Sequence, residues 1–339
     1  MKKITFLVGL LLVAPLVWGQ SKELKLATIA PAGSSWDKIT TRMNDELKVK
    51  SGGKLSFRIY PGGTQGDEKD VVRKMRIKQI HAGGLTGNGL GQIAPQIRVL
   101  ELPFLYHSSQ EIDYVTGKMG SQMETVLLKG NPSVVLLGWA EAGFVYIYSN
   151  KPIKKLTDLK GTKVWQWEGD PLAAATFASL GVAPIPLAIT DVMTALSTNM
   201  VEAVYAPPLA ALALQWASKV KYVTDLPVVN SMGALVMLQS EFNRLPLDQQ
   251  KLLREVTAKY TREIVEQTRK DNLQAIEEMK RLGVQTVSVD EKDRQEITET
   301  AKKVWTDQAG KLYTAEQLTA IQSLVAEVTK ANSASAQLH

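Results

Sequence analysis

Residues 161–171 read GTKVWQWEGDP and place Trp165 and Trp167 two positions apart. In a strand, residues i and i+2 share a face, so the two indoles stand side by side. The segment takes two of the chain's seven tryptophans. Such a pair either fills a core or lines a site for an apolar, flat aromatic or cationic ligand.

Other chemistry is sparse. His81, His107 and His339 are not spaced as metal ligands, and the chain has no cysteine. Disulfides, thiolate metal sites and cysteine nucleophiles are therefore excluded. No G-x-S-x-G elbow places a serine nucleophile, although residue order alone leaves a Ser–His–Asp arrangement open. The loop GGLTGNGLGQ (83–92) lacks the Lys-Ser/Thr of a P-loop and has G-x-G-x-G where a dinucleotide fingerprint has G-x-G-x-x-G. It reads as a tight turn after a strand, able to present backbone amides, Thr86 and Asn88 to a cleft. The expectation is a binding protein, with no catalytic residue, metal or cofactor.

The N-terminus sets the compartment. MKKITFLVGLLLVAPLVWGQ joins two lysines to a short apolar run and small or apolar residues at Val17 and Gly19. This is a secretory signal-peptide pattern over residues 1–19, with cleavage after Gly19 and a periplasmic destination. The apolar run is too short to be a good membrane span. Net charge is +6, and +4 once Lys2 and Lys3 leave. The positive charges are interspersed with acids, so no basic face for nucleic acid is expected.

The elements that must carry a site alternate. ELKLATIAP, LSFRIYPGG and IHAGGLTG read as strands, separated by helices starting at Ser34 or Ser35 and within DEKDVVRKMRIKQ. This rhythm predicts parallel βα units in an α/β fold. VLELPFLY, SVVLLGWAEAGFVYIYSNKP, GTKVWQW and ALVMLQSEF read as further strands. From about Pro246 to Gly283, apolar residues recur in steps of three and four. Such a helix is about 55 Å long at 1.5 Å per residue, longer than a single lobe of roughly 40 Å. It is expected to run through both lobes of a two-lobed molecule whose cleft holds the ligand. Lobe I is assigned to 22–146 plus 234–275, lobe II to 147–233 plus 276–330, and 331–339 to a disordered tail.

Five segments, ATIAPAGSSWDK, YPGGTQGDEKDVV, ELPFLY, SNKPIKKLTDLKGTKVW and LGVAPIPLAITDVMTALSTNMVEA, followed by LGVQTVSVDEKD, resemble the solute-binding proteins of tripartite ATP-independent periplasmic (TRAP) transporters. The likeness covers roughly residues 24–325. It implies two α/β lobes spanned by a long helix, closing on a solute and delivering it to membrane-embedded subunits. Most such proteins take organic acids, and the resemblance places two anion-binding arginines and an asparagine at positions occupied here by Trp165, Val145 and Ala206.

All three departures remove the means of pairing a buried carboxylate, which costs several kcal/mol when left unmatched. Trp165 and Trp167 are therefore expected in the cleft, with Val145, Ala206 and Tyr205 beside them. Gln166, Thr86 and Asn88 would orient the solute. Trp36 either touches it or serves as a helix staple. Ordinary core is the lesser alternative for Trp167, and Glu168 and Asp170 are expected at the rim. The solute is then apolar or weakly polar, and the resemblance extends to a branch that docks on a tetratricopeptide-repeat partner. The alternatives are an organic-acid site built on Arg42, Arg58 or Arg98, a sensor presenting its ligand to a receptor, and an enzyme, disfavoured by the lack of acid–base constellations.

Overall fold

The computed structural model describes residues 22–336. The expected signal peptide, residues 1–19, and His339 lie outside the described residues. The first half alternates as its periodicity dictates: β1 (Lys22–Thr28), α1 (Ser35–Lys50), β2 (Leu55–Tyr60), α2 (Glu68–Arg76), β3 (Ala82–Thr86), α3 (Gly87–Ile93) and α4 (Ser109–Leu128). β1 lies between β2 and β3, parallel to both. Ser34 caps α1 by accepting from the Asp37 N–H, and α1 buries Ile39, Met43 and Leu47 at i, i+4, i+8. Asp67 caps α2.

The apolar run VLELPFLY is not a strand. Residues Pro95–Glu101 form a 3-10 helix, followed by irregular backbone in which Phe104 has φ +57°. A short run buried on all sides carries no period that separates strand from helix, and Pro95 and Pro103 deny it ladder donors. The glycine-rich stretch is not merely a tight turn either, because Gly87–Ile93 forms α3, capped by Thr86.

β4 (Val134–Ser149) is the shared beam. There follow α5 (Leu156–Leu159), β5 (Trp165–Trp167), α6 (Pro171–Ser179), β6 (Ile185–Leu187), α7 (Val192–Ser197), β7 (Ala203–Ala206), α8 (Pro208–Ala213), β8 (Tyr222–Thr224), β9 (Val229–Leu238) and α9 (Gln239–Phe242). The chain ends in α10 (Leu247–Arg281), β10 (Gln285–Val287), α11 (Glu291–Asp307) and α12 (Ala315–Ala336). α12 thus makes residues 331–336 helical where an unstructured tail was expected.

The main sheet runs β10-β8-β4-β9-β3-β1-β2, with β7 also on β4. The first part of β4 pairs with β9 beside lobe I, and its last residues pair with β7 and β8 in lobe II. Within the β9-paired part the register slips at Leu136/Gly138 and at Glu141/Gly143, the second a bulge that bends the strand shortly before it passes to lobe II. Gly143 has φ +111°, and a Cβ there would stand 2.4 Å from Nδ2 of Asn272. Only glycine meets both demands.

α10, at 35 residues, is about 52 Å long and serves as the expected rod. Its Thr257 hydroxyl donates to Leu137 O in the first part of β4. Further along, Asn272 donates to Ala142 O at the bulge and accepts from the Leu209 N–H of α8. Each lobe has its own apolar clusters, built around Leu85, Val99 and Met123 and around Leu26, Leu47 and Val256 in lobe I, and around Trp165, Val192 and Trp216 and around Ile153, Leu159 and Phe177 in lobe II.

Candidate functional site

A cavity of about 290 Å³ lies between the lobes. Its walls are overwhelmingly aliphatic and aromatic, and they include four indoles: Trp36 from lobe I and Trp165, Trp167 and Trp216 from lobe II. Trp165 stacks on Tyr205 with ring centroids 4.9 Å apart, meets Trp216 edge-on at 5.2 Å and stands 5.9 Å from Trp167. Its N–H donates to Leu187 O at 3.0 Å, and only 1% of it is exposed. Trp165 therefore belongs to the lobe II core as well as to the cavity wall. Trp167 is half-buried, and its backbone N–H donates to the Tyr205 hydroxyl at 3.0 Å. Burial pushes that hydroxyl far above its usual titration range, with the charge of Asp170 adding to the shift.

Val145, Ala206, Tyr205, Thr86, Asn88 and Trp36 also line the cavity. Gln166 does not. It lines an adjoining cavity of about 480 Å³, together with Asn88, Gln92 and Gly169. Its amide donates to Asp170 O at 3.3 Å. The Trp36 N–H donates to Thr268 of α10 at 2.7 Å, so this indole is pinned to the spanning helix. The Thr86 hydroxyl donates to Glu68 at 2.6 Å, and Glu68 also accepts from Thr86 N and Gly89 N. Burial, augmented by the neighbouring Asp67 charge, outweighs these donors and pushes the Glu68 carboxyl up to about 7.

Arg98 is the one cation among the described lining residues of the aromatic-walled cavity between the lobes, and it is not free to meet an anion. Its Nη2 donates to both oxygens of Asp170 at 2.8 and 3.0 Å, and its Nη1 to Glu101. Glu101 is held in turn by the Met232 N–H at 2.7 Å. Burial pushes the Glu101 carboxyl up, against the pull of Arg98. Burial alone would lower Arg98, but Asp170 and Glu101 outweigh it and the guanidinium titrates above its usual range.

The glycines of α3 make room for this cluster: a Cβ at Gly87 would collide with the Glu101 carboxylate, and one at Gly91 would stand 2.7 Å from Cδ of Arg98. Arg42 and Arg58 are elsewhere, the first exposed and paired with Glu263, the second exposed over the ring of Tyr60. Asp170 corrects the sequence expectation. It is buried, not at the rim, and caps α6 by accepting from Leu172 N and Ala173 N. Glu168 is exposed and pairs with Lys69 across the cleft.

Asp67, Glu68 and Glu101 escaped the sequence analysis, and Arg98 entered only as an alternative. One signal for the last two was legible: an arginine and a glutamate three apart inside the apolar run IRVLELPF have to be buried together. The histidines are dispersed. Nδ1 of His81 accepts from the Lys25 N–H at 3.0 Å, and His107 lies 3.8 Å from Glu111.

Residues 26–311 match the family of bacterial extracellular solute-binding proteins, family 7, known as DctP. The chain belongs to this family. DctP proteins of the TRAP type bind small solutes and work with membrane transporter subunits. Two DctP-like relatives are a solute-binding protein of Roseobacter denitrificans and the 2,3-diketo-L-gulonate-binding periplasmic protein of Escherichia coli. They are 25% and 26% identical to this chain, and in each case the match covers 73% of this chain and 75% of the relative. The DctP fold is shared with a TRAP periplasmic solute-binding protein of Citrobacter koseri holding D-glucuronate, at TM-score 0.82 and 22% identity over 91% of this chain and 99% of that one. It is shared equally with one of Ralstonia eutropha holding (S)-2-acetolactate, at TM-score 0.84 and 21% identity over 90% and 99%. Among the described residues of this DctP protein, no helix is long and apolar enough to cross a membrane.

Proposed function

We propose that this protein is the periplasmic capture component of a TRAP transporter for an apolar or weakly polar, preferably aromatic, solute. The supporting observation is the neutralised cation: among the described residues lining the aromatic-walled cavity, the single guanidinium is already held by Asp170 and Glu101. An incoming carboxylate would enter an acidic, water-poor space unpaired, at a cost of several kcal/mol. The indole and aliphatic walls favour the opposite chemistry. A solute burying about 250 Å² of apolar surface gains roughly 6 kcal/mol at about 25 cal/mol/Å². Trp165, Trp167, Trp216, Val145 and Ala206 supply that contact, Tyr205 and Asn88 orient it, and Thr86 is committed to Glu68.

A second reading keeps an organic-acid anion, drawn to Arg98. Its support is that related proteins hold D-glucuronate and (S)-2-acetolactate. Tryptophan fluorescence separates the two, since four indoles border the cavity. The proposal expects neutral aromatic compounds to change the emission saturably and D-glucuronate to leave it unchanged. A saturable, salt-sensitive response to D-glucuronate alone rejects it. The likeness to the branch with a tetratricopeptide-repeat partner extends the proposal to such a protein, which co-purification from the native cell envelope tests.

A further inference from the structure

We propose that Asp170 is the specificity-determining residue of the cleft: its carboxylate fills an anion site built from the Arg98 guanidinium and the first N–H groups of α6, and so acts as a tethered counter-anion that keeps acidic solutes out. The bearing on the natural solute rests on the reading above, whereas the site stands on its own geometry.

Four donor contacts converge on one carboxylate. Nη2 of Arg98 reaches both oxygens, and Oδ1 also accepts from Leu172 N at 3.0 Å and Ala173 N at 3.1 Å. A cation and a helix N-terminus converging in this way is the arrangement by which proteins grip free anions. Here the anion is covalently supplied, from the opposite lobe to the arginine. Arg98 sits in the 3-10 helix of lobe I, 72 residues from Asp170 in the sequence. The ion pair walls both cavities, so a small solute has an approach to it from either side.

The charge count explains the selectivity. Arg98 carries +1 against two carboxylates, Glu101 and Asp170, all three buried. A third carboxylate, brought in from solution, would add to an excess of negative charge already out of water. Without the Asp170 side chain, Arg98 and Glu101 balance, and Nη2 with two α6 N–H groups would face a space the size of a carboxylate. An anion from solution then restores the native arrangement.

The experiment follows thermal unfolding of the full mature protein and of Asp170→Gly in sodium formate, against sodium chloride at equal ionic strength. Glycine is tolerated at an N-cap. In the variant, formate should raise Tm saturably by about 2–4 °C beyond chloride, and the wild type should not respond. Asp170→Asn, which fills the space with a neutral amide, should not respond either. D-glucuronate should bind Asp170→Gly at least about tenfold more tightly than it binds wild type, one charge-assisted contact's worth. If Asp170→Gly does not fold, Asp170→Ser retains a capping hydroxyl and leaves Nη2 open for the same titration. Coincident formate and chloride curves in the folded variant overturn the anion site. A formate response without tighter D-glucuronate binding overturns the specificity role. Neither result decides the natural solute, so a failure here is distinguishable from a failure of the proposed function.

Discussion

The indole N–H of Trp167, in lobe II, stands 3.0 Å from each carboxylate oxygen of Asp67, in lobe I. Asp67 also accepts from the Ile189 N–H of lobe II at 2.8 Å and from its own helix at Glu68 N. One buried carboxylate thus closes the N-terminus of α2 and clasps the opposite lobe. Lys69–Glu168 and Gln92–Gly169 O border this clasp at the surface.

Asp67→Ala removes two charge-assisted contacts between the lobes, each worth about 1.5–3 kcal/mol. Because apparent affinity scales with the closed fraction, ligand binding should weaken by roughly 100-fold or more. Trp167→Phe keeps a ring and loses one donor, so its loss should be smaller, about tenfold. Small-angle scattering should show a larger radius of gyration for Asp67→Ala. Unchanged affinity in both variants would dismiss the clasp.

Glu68 gives a stability that depends on pH. Its carboxyl titrates at about 7 in the folded protein against 4.5 for the ordinary group. Between those values the folded state holds the proton that the unfolded state has released, so stability falls as pH rises through this window. The loss approaches about 3 kcal/mol above pH 7. Denaturant midpoints measured from pH 5 to 8 should decline for wild type, and the Glu68→Gln curve should be flatter. Parallel curves would place the titration elsewhere.

Trp165→Ala should destabilise the protein by about 3–5 kcal/mol in urea unfolding, as for a large buried aromatic truncated in a core. Trp165→Arg should cost more, since it places a cation among Tyr148, Val192 and Trp216. A loss below about 1 kcal/mol would mean that the indole serves the cavity alone.

Gly143→Ala should cost about 1–3 kcal/mol, from the φ of +111° and the approach of Asn272. In a double-mutant cycle with Asn272→Ala, the steric part should be recovered and the backbone part should not. Full additivity of the two losses would remove the contact between strand and helix as a hinge constraint.

The strands and the spanning helix were legible because their periods are long and clean. The apolar repeat from Pro246 to Gly283 gave α10 within two residues at each end. The i, i+2 spacing of Trp165 and Trp167 likewise anticipated two indoles 5.9 Å apart. What stayed hidden was long-range pairing. Asp170 read as a turn residue because its local sequence, EGDP, is that of a turn. Its partner Arg98 lies in another lobe, immediately before a run whose apolar character suggested a strand. The glycines of α3 read as turn formers, whereas Gly87 and Gly91 are small because Glu101 and Arg98 lie against them.

The central claim is that the cleft holds its solute by apolar contact, its one lining guanidinium being already paired. Native mass spectrometry of the protein exported and purified without refolding, followed by extraction of any retained molecule, addresses this directly. The account predicts a neutral or weakly polar compound, aromatic or aliphatic. A retained sugar acid or other carboxylate, released when Arg98 is replaced by glutamine, would contradict it.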